Sequence, residues 1–211
     1  MYPVTYIERE LKHIKNKRNV YYFSNILGLG LLAIIFIVIA PYLHEFLHIY
    51  FLRINNVHFY TDIKFDPYDG VYGKITAVSD LNIIDSIILM LIGAVGNIII
   101  GLSILILGFI AMKEGMLPES NFFTYISYGF LLDSITYLFQ SRGDFVNTLS
   151  MLDLCEFSVL LPILGIIAIF LLLFHLNFHL EHNIKYINDI ERELRRIEKY
   201  KFRKIVGIQH D

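Results

Sequence analysis

The stretch NILGLGLLAIIFIVIAPYLHEFLHIYFLRI, residues 25–54, decides the architecture. It is longer than the roughly 20 apolar residues that carry a helix across the hydrocarbon core of a bilayer. Near its far end, in LHEFLHIY (residues 43–50), stand His44, Glu45 and His48. Ionisable side chains are costly in such surroundings, and their presence there points to function.

The rest of the chain agrees with a membrane setting. Of 211 residues, 55% are hydrophobic and only 18% charged, a balance unlike that of a water-soluble domain of this length. The formal net charge of −2 leaves no basic footprint for nucleic acid, so no nucleic-acid partner is expected. The single Cys155 can form neither an internal disulfide nor a thiolate metal cluster. The first apolar run is too long and starts too late for a cleaved signal peptide.

Four runs are long enough to span: Asn25 to Ile54, Ile83 to Met112, Phe122 to Gln140 and Phe157 to Phe178. Five basic residues precede Asn25 and eight follow His182, which places both termini in the cytoplasm. The expected fold is an all-α, multi-pass membrane protein of about four transmembrane helices, in the cell membrane with the lipid bilayer as its surroundings. IERELKHI (residues 7–14) nearly recurs as IERELRRI (residues 190–197), each with apolar residues at helical spacing. Residues 1–24 and 181–211 therefore read as amphipathic helices, which either pack on each other or lie on headgroups, around a membrane-embedded unit at 25–180.

Between the first two runs, VHFYTDIKF and VYGKITAV are rich in β-branched and aromatic residues and flank DPYDG. Asp66, Pro67, Asp69 and Gly70 are turn formers, so residues 57–78 read as a β-hairpin. Its arms would offer an edge beside the histidines, with Ile75 expected on the free arm.

His44 and His48 are four residues apart on a helix, so both imidazoles leave one face a turn apart, as two ligands of one zinc ion require. At its offset Glu45 reaches a water on such a metal, and so serves as general base. The bland alternatives are a polar helix contact and a proton relay without metal. A catalytic zinc site also needs a third ligand, and Asp133 and Asp144 both emerge on the side of His48 in a four-span chain. Counting depth at 1.5 Å per residue, Gly93 of GAVGNIIIG (residues 93–101) comes level with His44. The glycines there permit close helix approach, and Asn97 needs a partner in lipid.

With these pieces in order, the sequence resembles the site-2 protease family of intramembrane zinc metalloproteases. HEFLH is similar to the family's zinc helix, GAVGNIIIG to its Gly-Pro-x-x-Asn helix, and RGDFVNTL (residues 142–149) to its aspartate-glycine stretch. The hairpin is similar to the family's membrane-associated β-structure. The resemblance runs from about Leu31 to Leu149. It implies Zn2+ held by His44, His48 and Asp144, Glu45 as catalytic base, and hydrolysis of peptide bonds in or near a transmembrane segment of a membrane-protein substrate. The pattern departs at Ala94, where the family has proline, and in the missing Asn-x-x-Pro before the aspartate. Asp144 must also dip back into the membrane, whereas Asp133 is already at depth as a ligand or an orienting carboxylate. Family members open toward the cytosol, while the basic termini place the His48 end outside, so the side stays open.

FHLNFHLEH (residues 174–182) sets His175, His179 and His182 along one face of the last helix, across the membrane from His48. Histidines near a helix C-terminus are favoured by its dipole, and this reading is preferred to a second metal site. Two other function classes fit the composition: a non-proteolytic zinc-binding membrane protein with a structural or regulatory role, and an ion-coupled transporter. Transport expects polar residues through the full membrane depth. In the sequence they gather in the half that holds His48.

Overall fold

The computed structural model describes residues 4–66, 70–78, 81–140 and 143–207. Helix α1 (Val4–Ile34) passes through a π-turn (Ile35–Ile39) into α2 (Ala40–Ile54), giving one rod. The strands β1 (Phe59–Asp66) and β2 (Gly70–Ala77) follow. Helices α3 (Ile83–Lys113), α4 (Leu117–Thr136) and α5 (Asp144–Met151) come next, then a 3₁₀ turn (Cys155–Val159) and α6 (Leu160–Gly207).

The π-turn has a local cause. Pro41 lacks an N–H, and its ring crowds the carbonyl four residues back. One extra residue upstream relieves the crowding: the Ala40 N–H donates to the Ile35 carbonyl, five residues away. The insertion also turns the face of α2 relative to α1, which aims His44 and His48 inward, where both are buried.

Among the described residues, three helices are long and apolar enough to cross a membrane: the rod Thr5–Ile54, α3, and the helix Cys155–Arg203. Their outer faces expose large apolar side chains, among them Ile26, Ile99, Ile106, Phe170 and Phe174. The expected run 122–140 forms α4, which starts earlier and ends at Thr136. With Ser120, Asn121, Thr124, Ser127, Asp133 and Ser134 buried along it, α4 is less apolar than the membrane-length stretches of the other three. It is enclosed mainly by α3 and α1. Ser127 Oγ donates to the Gly101 carbonyl at 2.8 Å and Ser134 Oγ to the Ala94 carbonyl at 3.0 Å. A helix shielded by its neighbours has no need of a lipid-compatible surface.

The hairpin expected at 57–78 is present, in antiparallel register from Phe59 opposite Ala77 to Asp66 opposite Gly70. Its turn residues 67–69 lie outside the described residues. The arm that packs against α2 is β2.

The two amphipathic segments pair rather than lie apart. Ile7, Leu11 and Ile14 of α1 close on Ile190 and Leu194 of α6, with Tyr186 and Ile197 at the margin. Ion pairs Lys15–Glu198 (3.9 Å), Arg18–Glu191 (3.3 Å) and Lys201–Glu8 (3.1 Å) run along an antiparallel stalk. Helices α1 and α6 run without interruption through 24/25 and 180/181. Stalk and histidines thus lie at opposite ends of one continuous helix, and the stalk is held by its apolar seam, since exposed ion pairs contribute about 0–1 kcal/mol each. Truncating a fully packed aliphatic side chain typically costs about 2–5 kcal/mol. Ile14→Ala is expected to separate the stalk helices, read as a longer spin-label distance between positions 12 and 199, whereas Lys15→Ala should leave that distance unchanged.

Candidate metal centre

His44 and His48 sit one turn apart on α2, 1% and 7% exposed, with ring centroids 4.8 Å apart. Each ring is fixed from behind. The Nδ1 of His48 lies 2.5 Å from the Leu89 carbonyl, so it carries the proton and leaves the Nε2 lone pair toward the site. The His44 ring is sandwiched: Tyr137 stacks on it at 4.4 Å and 5°, and Gly93 of α3 lies against it. A Cβ at position 93 would stand 2.6 Å from the His44 Nε2, so only glycine permits this approach.

Asp144 completes the group. Gly143, at φ 124, turns the chain as a glycine can, and Asp144 opens α5, which packs against α3 and returns the carboxylate to the histidines. Its Oδ2 lies 2.7 Å from His44 Nε2 and 3.4 Å from His48 Nε2. The ligand atoms of His44, His48 and Asp144 all fall within 4.8 Å of one another, a group that could hold a metal ion. Buried Asp144 Oδ2 has no aligned hydrogen bond despite these short approaches. Two imidazole nitrogens and a carboxylate oxygen that converge, with no aligned hydrogen bond at Asp144 Oδ2, suit a shared cation.

Asp133, the other expected candidate, is not in this group. Its Oδ2 accepts from Asn97 Nδ2 at 2.8 Å, and the same amide donates to the Ala40 carbonyl at 2.9 Å. Asp133 and Asn97 thus form a buried network beside the ligand group, in which the Asn97 Nδ2 finds two acceptors while its Oδ1 is left without a donor. Glu45 faces a cavity of about 190 Å³ lined by His48, Asp144, Asn147, Gly73, Ile75, Leu89 and Met90. It has a carboxylate in reach of the ligand group without belonging to it.

Tyr137, Gly73 and the Leu89 carbonyl were absent from the sequence reading. Two of them left signals: Tyr137 is one helical turn beyond Asp133, and Gly73 is a glycine inside a strand, which often marks close approach by another group.

The second histidine cluster does not converge. His175 Nδ1 meets the Tyr128 hydroxyl at 2.8 Å, His179 Nε2 meets Asn121 Oδ1 at 2.7 Å, and exposed His182 bonds the Phe178 carbonyl. Among the described residues, His44, His48 and Asp144 are the one group close enough to share a metal.

No protein-family model, curated protein or solved structure matches this chain.

The geometry separates ligands from supports. His44→Ala, His48→Ala and Asp144→Ala should each abolish stoichiometric metal binding, measured by elemental analysis of purified protein. Asp133→Ala should weaken it about 10- to 100-fold, as is usual for outer partners of ligands. Glu45→Gln should retain the metal. Greater loss in Asp133→Ala than in Asp144→Ala would exchange their roles.

Proposed function

We propose that the protein is a multi-pass membrane zinc endopeptidase of the site-2 protease type, with α4 as a fourth, enclosed membrane span. The observation that carries this reading is the meeting of His44, His48 and Asp144 beside a cavity that His48, Asp144 and Glu45 line. Two imidazoles and one carboxylate are a donor set that suits zinc and leaves a position open. At about 30 Å, the 20 residues of α4 are long enough to cross.

Zinc, when bound, supplies a Lewis acid that polarises water and the substrate carbonyl. The chain does the rest. Glu45 accepts a proton from the attacking water and returns it to the leaving amine, so that water adds across the peptide bond, its oxygen to carbon and a hydrogen to nitrogen. The Leu89 carbonyl and the Gly93–Tyr137 sandwich keep both imidazoles aimed while this happens.

A peptide bond in a transmembrane helix is closed to attack until the helix unwinds, and the freed backbone groups then need partners. The outer edge of β2 lies along the cavity through Gly73 and Ile75 and offers those partners by strand addition. On this reading the receiving edge is that of β2.

A second reading draws on α4. Its buried polar residues run from Ser120 to Ser134 and are not confined to the half near His48, contrary to the expectation from sequence. Such a row favours an ion relay, although Ser127 and Ser134 already donate to carbonyls of α3. Proton or Zn2+ flux in proteoliposomes, lost in Ser127→Ala with peptidase activity absent, would support transport instead.

Glu45→Gln should lower cleavage of a membrane-protein substrate about 10²- to 10⁴-fold with zinc retained, the usual contribution of a general base. Ile75→Pro should slow cleavage at full zinc occupancy, and Gly or Pro residues placed in the substrate span should speed it. Activity undiminished in Glu45→Gln would remove the proposed base, and activity undiminished in Ile75→Pro would remove strand addition.

A further inference from the structure

The hairpin ladder fixes which backbone groups of β2 are free. Val78 N–H donates to the His58 carbonyl at 2.8 Å, which makes His58 and Val78 a hydrogen-bonded antiparallel pair. Such pairs alternate with unbonded ones. With Thr76 opposite Tyr60 and Lys74 opposite Asp62, the backbones of residues 74 and 76 face β1. Gly73 and Ile75, in the intervening pairs, turn their N–H and carbonyl groups outward to the edge beside the metal ligands.

One of these outward groups already has a carboxylate beside it, because Glu45 lies against the Gly73 backbone within reach of its N–H. The contact is close: a Cβ at position 73 would lie 2.6 Å from Glu45 Cδ and 2.7 Å from its Oε2. The base and the strand edge therefore occupy the same place, and a side chain on the strand would push the carboxylate out.

We infer that Gly73 is a positioning residue that couples substrate pairing to release of the base: its outward N–H holds Glu45 until a substrate carbonyl takes that N–H over. This deepens the protease reading and rests on it. An extended backbone adding to β2 must bond to the outward N–H groups, and its carbonyl competes with the Glu45 carboxylate for the one at Gly73. One acceptor replaces another, so the strand loses no bond, while Glu45 is freed to take the proton of a water next to His44, His48 and Asp144. A peptide that reaches the cavity without pairing leaves Glu45 tied. The favoured substrate is thus a segment that can be extended along β2 over several residues, not any apolar segment that fits the cavity. Binding energy gathered away from the scissile bond then appears in kcat as well as KM.

The contact and the coupling are tested separately on the full chain in nanodiscs. Hydrogen exchange of peptides covering residues 70–78 should speed up about tenfold in Glu45→Ala, the effect of losing one net hydrogen bond, and this needs neither metal nor activity. For the coupling, Gly73 is replaced by glycolate, which turns its N–H into an ester oxygen without adding bulk. The probe is a synthetic peptide whose apolar span carries a Gly-Pro pair, compared with the same peptide lacking the flank that would lie along β2. In the zinc-loaded wild type, truncation should lower kcat about tenfold and raise KM. In the ester chain, truncation should raise KM and leave kcat unchanged. A wild-type penalty confined to KM, or an equal kcat penalty in the ester chain, overturns the coupling. Unchanged exchange in Glu45→Ala with wild-type cleavage intact removes the role of Gly73 and leaves the protease reading standing. Failure of the wild type to cleave any peptide at full zinc occupancy, with exchange behaving as expected, removes the protease reading and the coupling with it.

Discussion

A single side-chain amide sets the level of the site. Asn97 on α3 donates to the Ala40 carbonyl at the start of α2 and to the Asp133 carboxylate on α4, so three helices are tied at the depth of His44. Where water cannot substitute, a buried polar group left without a partner costs about 1–3 kcal/mol, and more if it is charged. The three groups therefore enforce one another. Sliding α3 along α2 would strand the amide, and sliding it along α4 would strand Asp133. The four-residue spacing from Gly93 to Asn97 puts the glycine that admits the His44 ring on the same face as the amide that locks the height.

From this fixed level the orientation of each ligand follows by a different device. His44 is held by shape, between a glycine and a stacked tyrosine, and His48 by a hydrogen bond to the Leu89 carbonyl. Asp144 is held by the chain path, since Gly143 takes a positive φ just before α5 begins. The Pro41 π-turn belongs to the same scheme. Without its extra residue the face of α2 would turn by about 100° relative to α1, because successive residues of an α-helix are that far apart. The histidines would then face away from α3.

Much of this was written into the sequence in short-range patterns. HEFLH states a helix face, DPYDG with its β-branched flanks states a hairpin, and the recurring IEREL octets state two amphipathic helices that find each other. Long-range relations were harder to read. Asp133 and Asp144 are both carboxylates at the right end of the bundle, and ligand chemistry suits either. Only the fold, which lets Asn97 claim Asp133, assigns Asp144 to the histidines. Likewise α4 has the length of a span but a polar sequence, because its surroundings are other helices and not lipid. Hydropathy reports what a surface faces, and a central helix faces protein. Gly73 and Tyr137 act through contacts between segments far apart in the chain, so spacing alone did not link them to Glu45 and His44.

The apolar frame explains why such strict positioning is needed. Two imidazoles and a carboxylate taken out of water lose solvation that their mutual contacts do not restore, and Asp144 Oδ2 has no aligned donor although a histidine nitrogen stands 2.7 Å away. Left to itself, the cluster would relax by turning its ligands toward other partners. Gly93, Tyr137, Leu89 and the Asn97 network remove those alternatives one by one, holding lone pairs together at a cost met by the packing of α2, α3 and α4. A cation reverses the sign of that arrangement, since the convergence that is unfavourable among acceptors is what a metal requires of its ligands. The same frame keeps Glu45 out of the ligand group and against the strand edge, where its carboxylate meets the Gly73 backbone at the cavity that His48 and Asp144 also line.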